Sequence, residues 1–127
     1  MTGKDIFERA LDLCALRGAD GSLPADVGDL QSRAVGLLNV SAIALHALDQ
    51  RLRGKPCYSV WMSSLEETVD MHEDICGAVL PYRLAALLIY EEDRELAERL
   101  HAHALDTEKR LLADGISRRH AITEVYG

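Results

Sequence analysis

Residues 70–90 read DMHEDICGAVLPYRLAALLIY, from Asp70 to Tyr90, and this stretch decides the fold. Ile75, Ala78, Val79, Tyr82, Ala85, Ala86 and Ile89 recur at spacings of three and four, which is one face of a helix. Leu80, Leu84, Leu87 and Leu88 widen that stripe until little of the circumference stays polar. A helix apolar nearly all round belongs in a core or between subunits. Arg83 and Pro81 interrupt the run, so it is no membrane span. Pro81 removes one backbone donor, and its ring presses on the carbonyl four residues back, that of Gly77. Glycine at that position leaves room for a bend. The expectation is one kinked helix or a break near Leu80, the kinked form being preferred.

The rest of the chain points to helices as well. At 127 residues it is one domain, long enough to bury a core. Hydrophobic residues make up 48% while aromatics are only 5%, and the abundance of Leu and Ala favours helices over a sandwich. The net charge of −7 argues against a general electrostatic grip on nucleic acid, though a local basic arm remains compatible. The opening MTGKDIFERA is polar and amphipathic, unlike a secretory leader. Cys14, Cys57 and Cys76 are an odd number without close spacing and read as reduced thiols of a cytosolic product.

Taken in order, a first helix spans about residues 3–16, capped by Thr2 or Gly3, suited by Asp5 and Glu8, and stopped by Gly18. Ile6, Ala10, Leu13 and Cys14 form its apolar stripe. A long second helix, about 26–53, carries Leu30, Ala34, Leu37, Leu38, Ser41, Leu45, Leu48 and Leu52 at helical spacing. Arg51 and Arg53 complement its negative end and Gly54 terminates it. The segment KPCYSVWMSS, 55–64, reads instead as an extended loop or hairpin. Trp61, the single tryptophan, plugs the bundle core on the plainer and preferred reading. On the other, this arm projects and touches a neighbour through Tyr58 and Trp61.

Between Ser64 and Cys76 lie five acids, Glu66, Glu67, Asp70, Glu73 and Asp74, without a lysine or arginine. Ser64 and Glu67 have capping-box spacing, consistent with at most a short turn, and Asp70 is the expected cap of the core helix over about 71–90. A fourth helix, about 92–113, turns Leu96, Leu100, Ala104 and Leu111 inward and pairs Glu95 with Arg99 and Asp106 with Arg110 outside. Asp114-Gly115 ends it. The tail, 116–127, holds Arg118, Arg119 and His120 and closes on Tyr126-Gly127; it is expected to fray or to dock on a partner. The fold class is therefore all-α, a four-helix bundle-like domain over residues 1–115 with an irregular arm and a flexible tail.

Chemistry-bearing patterns are sparse. His72 and Cys76 are four apart, half of a zinc site, and no further ligand has matching spacing. His101 and His103, two apart, diverge on a helix. Glu91, Glu92 and Asp93 read as a solvated helix start rather than as general acids. No glycine-rich phosphate loop, GxSxG or HExxH occurs. The reading carries no catalytic, cofactor or metal residue and no enzyme activity.

The order of pieces resembles a known family. DIFERALDLCALRG leads to a long helix with ALHALDQRL, and LEETVDMHEDI enters VLPYRLAALLIYEED. ELAERLHAHALDTEKRLL and a closing ITEVYG complete the chain. The whole resembles the head–tail connector (head-completion, neck) proteins of tailed bacteriophages and their prophage relatives. The resemblance implies a non-enzymatic helical adaptor that assembles as a ring under the portal, extends the DNA channel and recruits the tail. The implied partners are its own copies, the portal and a tail-side adaptor, with monomers when isolated and DNA passing through without sequence-specific binding. No membrane is involved. The implied location is the bacterial cytoplasm during assembly, then the particle neck. Family members use the C-terminal segment and the irregular arm for portal or subunit contacts, here 116–127 and 56–64. The 66–74 acids face either the channel or solvent, with solvent preferred, and the apolar surplus of the core helix is a further subunit-contact candidate. The alternative is a small regulatory or DNA-associated protein touching DNA through Arg118, Arg119 and His120.

Overall fold

The computed structural model describes residues 1–16, 20, 24–54 and 61–126, without the side chains of 115–126. It is all-α: α1 Gly3–Leu13, α2 Val27–Arg53, α3 Glu73–Ala78, α4 Leu80–Ile89 and α5 Arg94–Tyr126, with no strand among the described residues. An isolated antiparallel bridge joins Thr2 to Thr68.

The centre is α4. Leu80, Pro81, Leu84, Ala85, Ala86, Leu88 and Ile89 are buried on it. It packs most extensively against α5, then against α1 and α2. Ile6, Phe7, Ala10 and Leu11 come from α1, Leu30, Ala34, Leu38 and Leu45 from α2, and Ala97, Leu100 and Ala104 from α5. Each fully buried Leu, Ile or Phe contributes about 1.5–3 kcal/mol relative to exposure.

The core run is broken, not kinked. α3 ends at Ala78, Val79 sits at φ −113°, ψ −54°, and α4 starts at once with Pro81 in its first turn. A proline in the first turn lacks a donor that would have had no helical partner anyway. Pro81 has no N–H to give the Gly77 carbonyl four residues back, and Arg9 Nη1 donates to that carbonyl at 3.5 Å. Among the described residues glycine is not needed for space there: a Cβ at Gly77 would meet Arg9 Nη1 at 3.7 Å, an ordinary contact.

The helix ends divide between expected and unexpected. Thr2 caps α1 through a reciprocal box: Asp5 N donates to Thr2 Oγ1 at 3.2 Å and Thr2 N to Asp5 Oδ2 at 2.9 Å. The Thr2 backbone donor first, and the Thr2 side chain after it, hold the Asp5 carboxyl below its ordinary value. α1 does not reach Gly18. It closes at Ala15, with φ +55°, where Leu16 N donates to Leu11 O and Ala15 N to Asp12 O. That is a Schellman closure with alanine in the left-handed position usually taken by glycine. Gly54, at φ +69°, ends α2 as expected. α3 is capped by His72, not Asp70: Asp74 N donates to His72 Nδ1 at 3.1 Å. Asp93 caps α5 by accepting from Leu96 N.

The expected stop at Asp114-Gly115 does not hold either, because α5 continues as helix to Tyr126. One glycine inside a helix costs about 1 kcal/mol relative to alanine, too little to end it while ordinary helix formers follow.

Candidate functional site

The segment entering α3 is held at successive points. Asn39, buried on α2, meets Met62 twice: Met62 N donates to Asn39 Oδ1 at 2.8 Å, and Asn39 Nδ2 donates to Met62 O at 2.9 Å. Ser63 N and Ser64 N donate to Glu67 Oε2 at 2.6 and 2.9 Å, closing a tight turn. The chain start pairs alongside: Gly3 N donates to Glu67 O, Lys4 N to Leu65 O, and Val69 N to Met1 O. Gly3 suits this approach, since a Cβ there would lie 2.6 Å from Met62 Cε, which would have to shift, and 3.2 Å from the Leu65 backbone.

Asp49 completes the anchoring. It is 2% exposed and its Oδ1 accepts from Arg53 Nε at 2.9 Å and from His72 N at 2.7 Å. Arg53 also donates from Nη1 to Asp70 Oδ1, 2.9 Å, and from Nη2 to Asp70 O. The hydrogen bond to Asp49 is the main influence holding the guanidinium more firmly protonated than usual. A buried carboxylate is thus compensated by a cation and a backbone donor, as burial of charge demands.

Trp61 stands at the head of this anchored segment and is 64% exposed. It does not plug the core: the Asn39 clamp fixes Met62 inward, and Met62 and Leu65 take the buried positions. The five acids are all exposed. Glu67 and Asp70 hold the segment through the bonds described, while Glu66, Glu73 and Asp74 stand at the surface around the start of α3. Asp74 Oδ2 lies 3.7 Å from His72 Nδ1, but that nitrogen already accepts the Asp74 amide. Tyr58 lies outside the described residues. Arg118, Arg119, His120 and Tyr126 lie on the backbone of α5 with side chains outside the description.

His72 and Cys76 have separate partners: His72 Nδ1 accepts the Asp74 amide. Cys76 is buried with its thiol toward Val69 O and Met71 O. Cys14 is buried as well, its Sγ 3.4 Å from Ala85 O, and burial pushes its thiol up to about 11. Among the described residues no three His, Cys, Asp or Glu side chains are grouped to hold a metal ion. His103 stacks on Tyr82 with ring centroids 3.9 Å apart, and Arg83 links α4 to Glu108 of α5 at 3.8 Å.

Of two apolar surface features, the first contains the exposed apolar surplus of the core helix, at Leu87, and the second was not singled out in the sequence. Leu87, Tyr90, His101 and Leu105 line an apolar groove of about 330 Å³ between α4 and α5, with the Arg94 guanidinium over the Tyr90 ring at 4.9 Å. Val40 and Ile43 project from α2, 57% and 58% exposed. A second apolar spacing on α2, offset from the buried one, was the available signal. Among the described residues no helix is long and apolar enough to cross a membrane. Comparison with protein-family models, curated proteins and solved structures finds no match to this chain.

Proposed function

We propose that this chain is a structural adaptor of a phage or prophage particle. It resembles a head–tail connector that forms a ring beneath the portal, extends the DNA channel and recruits the tail. The observation that carries the reading is Trp61, displayed to solvent at the head of a segment anchored from Met62 to His72. A large aromatic on a rigid mount is the kind of anchor that dominates protein interfaces, because little entropy is lost when it docks. The exposed acids Glu66, Glu73 and Asp74 suit a surface past which DNA slides without being held. Such a subunit works in the bacterial cytoplasm during assembly and in the particle neck afterwards, its partners being the portal, a tail-side adaptor and its own copies.

Genomic context tests the reading first: portal and capsid genes beside this one are expected. Biochemically, Trp61→Ala is expected to weaken binding to the portal at least about tenfold, as for an interface anchor. The urea midpoint should stay unchanged, since the side chain is exposed. Equal portal binding by wild type and variant removes the role given to Trp61. A salt-dependent shift of duplex DNA by the purified chain would support a DNA-associated protein instead.

A further inference from the structure

α2 carries two apolar faces, and among the described residues one of them is packed in the core while the other is exposed. Leu30, Ala34, Leu38, Ser41 and Leu45 point into the core. Gly36, Val40, Ile43, Ala44 and Ala47 recur at spacings of three and four on the other side and are all exposed. They fall on one stripe of the helix, about 17 Å long at 1.5 Å per residue. Asp29 and Arg33 extend the stripe at its start and Arg51 at its end, and all three are exposed.

Gly36 is unexplained by the fold. It lies inside α2, where glycine weakens a helix, and a Cβ at this position would meet no atom of the described residues within 4 Å. An interior helical glycine with open space in front of it allows close approach by something outside the chain.

Charge selects the occupant and its direction. A parallel copy would set Asp29, Arg33 and Arg51 each against its own like. An antiparallel copy centred on Val40 sets Asp29 against Arg51 of the second copy at both ends. It also lays Gly36 against Ala44 of the second copy, and Val40 against Val40. Moving the centre two residues toward the C-terminus would bring Arg33 against Arg51 of the second copy, so the same charges fix the register.

We infer that two copies of this chain pair antiparallel through the Gly36–Ala47 stripe of α2, in register about Val40. The contact is isologous and closes on itself, so it is separate from any ring-forming interface and does not depend on the connector reading.

Sedimentation velocity on the full chain, from low micromolar to about 1 mM, tests this over the range of a moderate protein–protein affinity. Wild type is expected to move from monomer to dimer with concentration. Val40→Glu and Ile43→Glu, whose side chains are exposed in the single chain, should each weaken dimerisation about tenfold or more. Unchanged far-UV circular dichroism would show that these variants remain folded. Asp29→Arg alone and Arg51→Asp alone should weaken the dimer, and the double exchange should restore it. A wild type that stays monomeric throughout overturns the inference. So does an oligomer indifferent to Val40→Glu and Ile43→Glu, or a double exchange that fails to rescue.

Discussion

Asn39 and Met62 form a two-bond clasp: the buried amide of α2 receives the Met62 N–H at 2.8 Å and gives its own N–H to the Met62 carbonyl at 2.9 Å. A side-chain amide thus does what a neighbouring strand would do, satisfying both backbone groups of one residue in a segment without regular structure. The clasp turns Met62 inward and leaves Trp61 outside.

Asn39→Ala should cost about 1–3 kcal/mol, the penalty for leaving a buried donor and acceptor unpaired. Urea denaturation reads this as a lower midpoint at unchanged slope. Hydrogen exchange should show the Met62 amide losing protection more than amides at the middle of α4.

Asp49→Ala removes the acceptor shared by Arg53 and His72 N. The α3 start and the α2 end lose their common anchor. A loss of about 3 kcal/mol or more is expected, as when one partner of a buried charged pair is deleted. Asp49→Asn keeps one acceptor oxygen and should recover part of it in the same urea experiment.

Two glycines should behave oppositely. Gly3→Ala drives a Cβ against Met62 Cε and the Leu65 backbone and should lower stability by about 1–3 kcal/mol. Gly77→Ala meets an ordinary contact among the described residues and should be neutral or raise stability by up to about 1 kcal/mol through helix propensity. Thermal melts of the two variants check the pair.

Ala15 holds a left-handed backbone with a Cβ attached. Ala15→Gly should therefore stabilise the chain by about 0.5–1 kcal/mol, reversing the usual effect of added glycine. A higher melting temperature checks it.

Cys14 and Cys76 should resist alkylation in the folded chain. Burial raises both thiols, Cys14 from an ordinary value near 9 to about 11, so little thiolate forms at pH 8. Mass spectrometry of the two peptides should show labelling only as fast as the chain unfolds. The folded value of Cys14 lies above the unfolded one, so its contribution to stability is complete below pH 9 and is lost as pH rises toward 11.

Much of the fold was legible because period and punctuation agree over long spans. α2 follows its apolar spacing from Leu30 to Leu45 and stops at Gly54. Of the two charge pairs expected on α5, Asp106–Arg110 forms at 2.9 Å, while Glu95 and Arg99 are not within ion-pair distance. The ends proved harder. Ala15 closes α1 because Leu16 can bond back to Leu11 and pack on the core, so tertiary burial offsets a backbone conformation alanine disfavours. Asp70 yields the cap of α3 to His72 because Arg53, distant in sequence, engages it. Trp61 was misplaced for the same reason: nothing near it in sequence reveals that Asn39 holds the next residue inward. The α2 stripe at Val40 and Ile43 was masked by its own neighbours, because a helix apolar on two sides reads simply as core.

The central claim is that this chain docks beneath a portal. Negative-stain microscopy of the full chain mixed with purified portal rings from the same genome tests it most directly. The account predicts an added ring of density on one end of the portal, lost or thinned with Trp61→Ala. Bare portal rings, with the folded chain free in solution at about 100 μM, far above the Kd range of specific assembly contacts, would contradict it.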